Sequence, residues 1–213
     1  MESKTPFVIL GNGPEARIAA DIAHAADILI YGFLATDEEG YPEDIHDIVV
    51  IGRLDSDDAR ALLADETIIF GVAEKEIEKR RDLVEFVKNY KEVLGNLIHP
   101  TASVSPYARI GHGNICHAGF VLGSGSLFGS YNLVGSNVSI ELDTIVGDYC
   151  TIQSGVKIGR GAEIGEGVFL GMGAIIHPGV TVGLGAMVAD GAVVLRDIPE
   201  DATAFGNPAQ VKN

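Results

Sequence analysis

From Ile98 to Val194 an apolar residue recurs at every sixth position: Ile98, Val104, Ile110, Cys116, Leu122, Phe128, Val134, Ile140, Val146, Ile152, Ile158, Ile164, Leu170, Ile176, Val182, Val188 and Val194. The seventeen positions follow without a slip. The next residue is glycine at nine of them, from Gly111 to Gly183, and the fourth residue after is often small, as at Ala102, Ala108, Ala162, Ala174, Ala186 and Ala192. A period of six matches neither an amphipathic helix nor plain strand alternation. It suits a short strand and a tight turn, repeated, with the apolar residue always inward. Three such units close a triangular coil, and stacked coils bury a continuous core. The stretch therefore predicts an all-β parallel β-helix. Residues eighteen apart, three hexads, then stack one rung over, about 4.8 Å away.

The pattern before the hexads differs. Phe7–Leu10 reads as a buried strand, Gly11-Asn12-Gly13 as a turn, and a helix follows from Pro14. Further strands are predicted at Ile28–Leu34, Ile48–Ile51 and Thr67–Val72. Helices are predicted from Asp57 to Leu63 and from Glu74 to about Val93, the latter a charged, solvated face with Ile77, Val84, Val87 and Leu94 on its apolar side. Strands alternating with helices imply a small parallel α/β sheet. Gly95-Asn96 breaks the pattern, so the expected domains are residues 1–95, α/β, and residues 96–213, β-helix.

Composition narrows the function classes. The net charge of −15 argues against a nucleic-acid surface, which needs a basic stripe. It fits solubility or a salty cytoplasm. The two cysteines, Cys116 and Cys150, fall among the hexads and read as reduced packing residues. The opening Met-Glu-Ser-Lys runs straight to a strand, and no apolar run is long enough to cross a bilayer, so a cytoplasmic protein is expected.

The whole resembles the NeuD/PglD-type bacterial sugar acyltransferases. The resemblance rests on Gly11-Asn12-Gly13-Pro14-Glu15-Ala16-Arg17, on Gly32-Phe33-Leu34-Ala35-Thr36-Asp37, on Leu97-Ile98-His99-Pro100-Thr101-Ala102 and on Gly206-Asn207-Pro208-Ala209. It implies a left-handed β-helix that forms a homotrimer. It implies acetyl-coenzyme A (acetyl-CoA) in the groove between two β-helices, and a nucleotide-linked sugar held by the N-terminal domain. Gly11, Asn12, Gly13, Arg17 and Asp37 are the implied acceptor-binding residues. By the residues alone, Gly11-x-Gly13 fits a bare tight turn as well as a phosphate site, because Ala16 stands where a dinucleotide fingerprint has its third glycine.

The family's catalytic base is a histidine followed by an acid. In this chain that pair is Leu142-Asp143. A family asparagine falls on Gly135, a second histidine on Thr151, and two base-reading acids on Ala35 and Thr36. A leucine cannot be a general base. Four readings follow. His117, one rung below Gly135, is a relocated base, aided by Ser124, or it fills a subunit seam. Alternatively no base is needed: orientation and backbone N–H groups suffice, with Glu141 or Asp143 holding the substrate. A metal site from His112 and His117 lacks a third ligand, so none is expected. The last reading is a non-catalytic trimer that binds a nucleotide or sugar. The coils from Gly155 to Gly191 are the expected coenzyme A seam, with Arg160, Gly161, Gly171, Gly173 and Gly191 as its candidate residues.

Overall fold

The computed structural model describes residues 6–36 and 41–212. The chain divides into two compact units, residues 1–100 and 101–213. In the first, β1 (Phe7–Leu10), β2 (Ile30–Ala35), β4 (Ile48–Arg53) and β5 (Ile69–Val72) form a parallel sheet, with β3 (Asp44–Ile45) added antiparallel at the edge. The order β3-β4-β2-β1-β5 puts β1 inside the sheet, between β2 and β5, where all four of its residues are buried. The β3 strand was not expected. It forms through a two-residue hairpin whose turn, His46-Asp47, has φ of 51° and 62°. Two left-handed residues in succession suit the right-handed twist of the flanking strands.

Three helices accompany the sheet: α1 (Pro14–Ala25), α2 (Asp57–Ala64) and α3 (Ile77–Lys88). The small residues Ala16, Ala19, Ala20 and Ala23 give α1 a fully buried stripe. Ser56 caps α2 by accepting the Ala59 N–H at 3.2 Å, an interaction typically worth about 1 kcal/mol. α3 is shorter than its charge pattern suggested, and its face is not wholly solvated. Arg80 is buried, and its guanidinium donates to the carbonyls of Glu74 (2.8 Å) and Lys75 (3.3 Å). Those two residues are thereby held as a loop ahead of the helix. At the other end Asn89 Nδ2 donates to the carbonyls of Glu85 and Phe86 and stops it.

The second unit is the left-handed parallel β-helix of the hexads. Its first face holds Ser103–Val104, Val121–Leu122, Ser139–Ile140, Lys157–Ile158, Ile175–Ile176 and Val193–Val194. The second holds Arg109–Ile110, Leu127–Phe128, Ile145–Val146, Glu163–Ile164 and Thr181–Val182. The third runs from Ile115–Cys116 through Leu133–Val134, Thr151–Ile152 and Phe169–Leu170 to Met187–Val188 and Thr203–Phe205. The repeat ladders pair a residue with the one eighteen later, as in Val121↔Ser139 and Leu127↔Ile145. From Cys116 to Val194 all fourteen inward positions are buried to 3% exposure or less. Val104 and Ile110, in the first coil, are half-buried because they have a neighbouring rung of this unit on one side only.

The corners show a second period of six. The third residue after each inward apolar residue has positive φ from Gly113 to Gly191. Ten of these fourteen positions are glycine; the other four are consecutive, Tyr131, Asn137, Asp143 and Tyr149, with φ of 61°, 57°, 58° and 57°. The left-handed conformation costs an ordinary L-residue about 1–2 kcal/mol, less for Asn and Asp. One full coil therefore carries strain that the others avoid. Beneath it the interior turns polar: Asn114, Asn132, Ser126 and Thr144 are all fully buried.

Candidate active site

The first unit offers a crevice above the carboxyl ends of β1 and β5. The chain leaves β1 for β2 on one side, while β5 lies on the other, so this is the topological switch point where α/β sheets bind ligands. The crevice encloses about 410 Å³ and is lined in part by Gly11, Asn12, Gly13, Glu15, Thr36, Glu74, Lys75 and Lys79. Gly11 is obligatory: its φ is +123°, and a Cβ there would lie 2.4 Å from the Ala73 carbonyl oxygen. Asn12 Oδ1 accepts the Thr36 N–H at 3.1 Å and so ties the turn to the end of β2. Gly13 is the residue before α1 and supplies no side-chain cap. Arg80, through the two carbonyls it holds, fixes the opposite wall. Arg17 is exposed on α1 and does not line the crevice. Asp37 lies outside the described residues.

In the β-helix the candidate residues fall at separate corners. Asp143 follows Ser139–Ile140, on the first face; His117 follows Ile115–Cys116, on the third. One chain does not bring them into a common site. His117 is half-buried, and its N–H donates to the Val134 carbonyl at 3.0 Å. Leu142 is 37% exposed, an apolar side chain facing outward at the corner where the resemblance puts a histidine. Beside it Asp143 Oδ2 accepts from an Arg160 guanidinium nitrogen at 3.3 Å, one rung on. The two side chains are 54% and 66% exposed. A surface pair of that kind adds about 0–1 kcal/mol to stability. Its larger consequence is orientation: Arg160 fixes the rotamer of a carboxylate whose backbone is already in an unusual conformation. Glu141 is exposed on the same corner, and its carbonyl accepts from Ser126 Oγ (2.9 Å) and Thr144 Oγ1 (2.8 Å). The polar interior thus holds the backbone that presents Glu141, Leu142 and Asp143.

The remaining candidates are corner glycines. Gly161, Gly173 and Gly191 have φ of +66°, +68° and +65°, and a Cβ at any of them would meet nothing within 4 Å. Their corners expose backbone rather than side chain. Gly171 is different, since the Asp190 carboxylate covers it, with Oδ1 2.4 Å from where a Cβ would be. Gly161 N–H donates to the Leu142 carbonyl at 3.1 Å and links the two rungs. Burial raises the Cys116 thiol well above its ordinary value, which leaves it inert. Among the described residues no group of three or more His, Cys, Asp or Glu is placed to hold a metal ion, and no helix is long and apolar enough to cross a membrane.

The residues that sequence reasoning passed over are Arg80 and the corner run from Tyr131 to Tyr149. The signal for the run was present. Glycine three residues after the apolar position is regular, and its loss at four consecutive hexads marks one coil.

Residues 161–196 match the bacterial transferase hexapeptide (six repeats) family. A histidine-to-asparagine variant of perosamine N-acetyltransferase from Caulobacter crescentus, solved in complex with CoA and GDP-perosamine, superposes with a TM-score of 0.89 at 28% identity, covering 100% of this chain and 98% of that one. The acetyltransferase domain of PglB from Neisseria gonorrhoeae FA1090, in complex with acetyl coenzyme A, superposes with a TM-score of 0.88 at 27% identity, covering 99% and 100%. No curated protein matches the chain. The chain is similar to the NeuD/PglD-type sugar acyltransferases over its whole length. The similarity extends through both units and therefore rests on more than the repeat.

Proposed function

We propose that the protein transfers an acetyl or other acyl group from a coenzyme A thioester to an amino or hydroxyl group of a nucleotide-linked sugar. The full-length similarity to a relative that binds CoA and GDP-perosamine carries this reading, and that relative's N-acetyltransferase activity favours an amine as acceptor. The crevice at Gly11, Asn12 and Gly13 holds the nucleotide, with Arg17 and Asp37 nearby in sequence. Gly173 and Gly191, with Gly171 beside them, open a backbone-lined path for the pantetheine at the corner after the third face, and Arg160 and Gly161, at the corner after the first face, meet it across the seam from another subunit. The active assembly is a homotrimer in the cytoplasm, with the acyl donor at the seam between two β-helices. Asp143 and Glu141 engage the acceptor, and His117 stands at the neighbouring corner as the alternative base.

The test is turnover. The protein is mixed with acetyl-CoA and a panel of nucleotide-linked amino sugars, and free CoA thiol is followed. Thiol release that depends on an amino sugar supports the reading. A second reading is favoured by Leu142: a β-helix trimer that binds a nucleotide or sugar and transfers nothing. Under it, calorimetry finds nucleotide binding but no acetyl-CoA binding, and thiol release stays at the background rate.

A further inference from the structure

One coil of this β-helix is set apart by its backbone. Non-glycine residues occupy the left-handed position at all three corners only between Tyr131 and Tyr149. Such strain persists where surrounding structure over-determines it, and it clusters at functional sites. The over-determination is visible. Asn114 Oδ1 accepts the Asn132 N–H at 2.9 Å, and Asn132 Oδ1 accepts the Cys150 N–H at 2.6 Å. The Thr144 N–H donates to Ser126 Oγ at 3.2 Å. Each bond grips the residue next to a strained corner. The rings of Tyr131 and Tyr149 stack with centroids 4.9 Å apart, so that corner is filled by side chain. Asn137 is neutral, and its carbonyl accepts from Lys157 Nζ at 3.3 Å. The remaining corner of this coil, after the first face, presents an exposed acid, Asp143, in a column whose other left-handed residues are Gly125, Gly161 and Gly179.

We propose that Asp143, clamped by Arg160, holds the acceptor amine for a transfer that uses no enzyme base. The inference rests on the acyl-transfer reading above. The acceptor loses its ammonium proton to solvent. The neutral amine attacks the thioester carbonyl carbon, so that a C–N bond forms and the C–S bond breaks. The thiolate leaves and is protonated, and the surplus proton on nitrogen passes to water. Asp143 accepts an N–H of the amine and fixes its direction. A lone carboxylate would also favour the ammonium form and so suppress the nucleophile. The guanidinium of Arg160, 3.3 Å away, offsets that field. Leu142 beside them offers no proton acceptor. Within one rung of the pair, the other titratable groups of this corner are Glu141 and His177, both exposed and on the column that Gly159 separates. Glu141 adds to the field of Asp143, and His177, when protonated, opposes it.

The experiment is a pH–rate profile of the full-length protein with acetyl-CoA and an accepted amino sugar, for the parent chain, Asp143→Asn, Arg160→Gln and His117→Ala. In the parent, kcat rises with a single ionisation that follows the free sugar amine. Asp143→Asn keeps a residue that tolerates positive φ. It raises KM for the sugar about tenfold, leaves KM for acetyl-CoA unchanged, and shifts the kcat profile to lower pH. Arg160→Gln shifts it to higher pH, because the carboxylate is no longer offset. A purely structural pair would not move the profile in opposite directions. Unchanged profiles and unchanged KM in both variants overturn the proposal. So does an ionisation in the imidazole range that His117→Ala abolishes. If the parent chain transfers nothing at any pH, the acyl-transfer reading itself falls, a result distinct from an active parent with indifferent variants.

Discussion

Between Tyr131 and Tyr149 every corner of the β-helix carries a side chain, whereas from Gly155 to Gly191 every corner is glycine. The interiors differ in step. Below the first stretch lie Asn132, Val138, Thr144 and Cys150, two of them polar; below the second lie Val156, Ala162, Val168, Ala174, Val180, Ala186 and Ala192, all apolar and buried. The second stretch is what the fold alone requires, namely glycine where φ is positive, a small or branched apolar residue inside, and a parallel ladder of fixed register. The first is the same scaffold with added demands. Left-handed tyrosines cost about 1–2 kcal/mol each, and the buried asparagines and hydroxyls offset this with hydrogen bonds to the backbone, each worth about 1 kcal/mol net. A coil under selection for packing alone would have no reason to bear both.

The contrast is most easily broken in the regular stretch. Ile164 is 2% exposed and wholly apolar in its contacts with neighbouring rungs. Ile164→Ala leaves a cavity and should cost about 3 kcal/mol, read as a shift of the denaturation midpoint of the β-helix at unchanged m-value. Activity of the remaining folded protein should be retained. A loss of turnover out of proportion to the folded fraction would mean that the regular stretch is not mere scaffold.

Asn132→Leu tests the strained stretch. The substitution is close in size. It removes the acceptor for the Cys150 N–H and keeps the backbone N–H that donates to Asn114 Oδ1. Leaving that buried N–H unpaired should cost about 2 kcal/mol, less than the cavity in the regular stretch. The loss should also be local. Hydrogen exchange should rise at Tyr149 and Cys150 while the glycine-cornered coils stay protected. Uniform loosening of all coils would sink the claim that the asparagine ladder serves one corner.

The fold was almost wholly legible in the sequence, because an inward residue every sixth position admits one arrangement and fixes the register that the ladders show, as in Leu133↔Thr151. The short β3 strand was not legible, since two residues carry no period, and the hairpin rests on the backbone of His46 and Asp47. Nor was the burial of Arg80 inside a charged helix, because its partners are main-chain carbonyls, which no side-chain pattern reveals. The candidate site was legible in part. The eighteen-residue stacking puts Arg160 one rung above Leu142, but the direction of its side chain, toward Asp143, depends on the corner geometry. The separation of His117 from Asp143 follows from which face each strand joins. The register alone contains that fact, but it emerges only once the three faces are followed separately.

The smallest effect on the fold is the sharpest on the comparison. Asp143 stands at φ of 58°, in a column where its neighbours are Gly125 and Gly161. Asp143→Gly gives the corner the residue that the regular coils use. It relieves the left-handed strain, loses an exposed ion pair worth little, and gains the unfolded-chain entropy of glycine. These terms nearly cancel, and stability should change by less than about 1 kcal/mol. Asp143→Ala keeps the strain and loses the side chain that tolerates it, so it should be less stable than Asp143→Gly by about 1 kcal/mol. Denaturation should therefore rank glycine at or above aspartate, with alanine last. Turnover should rank them otherwise: aspartate far above glycine and alanine alike, because both lack the carboxylate. If Asp143→Gly transferred acyl groups as well as the parent chain, the side chain at that corner would be strain without purpose, and the strained coil would lose its claim to be the working one.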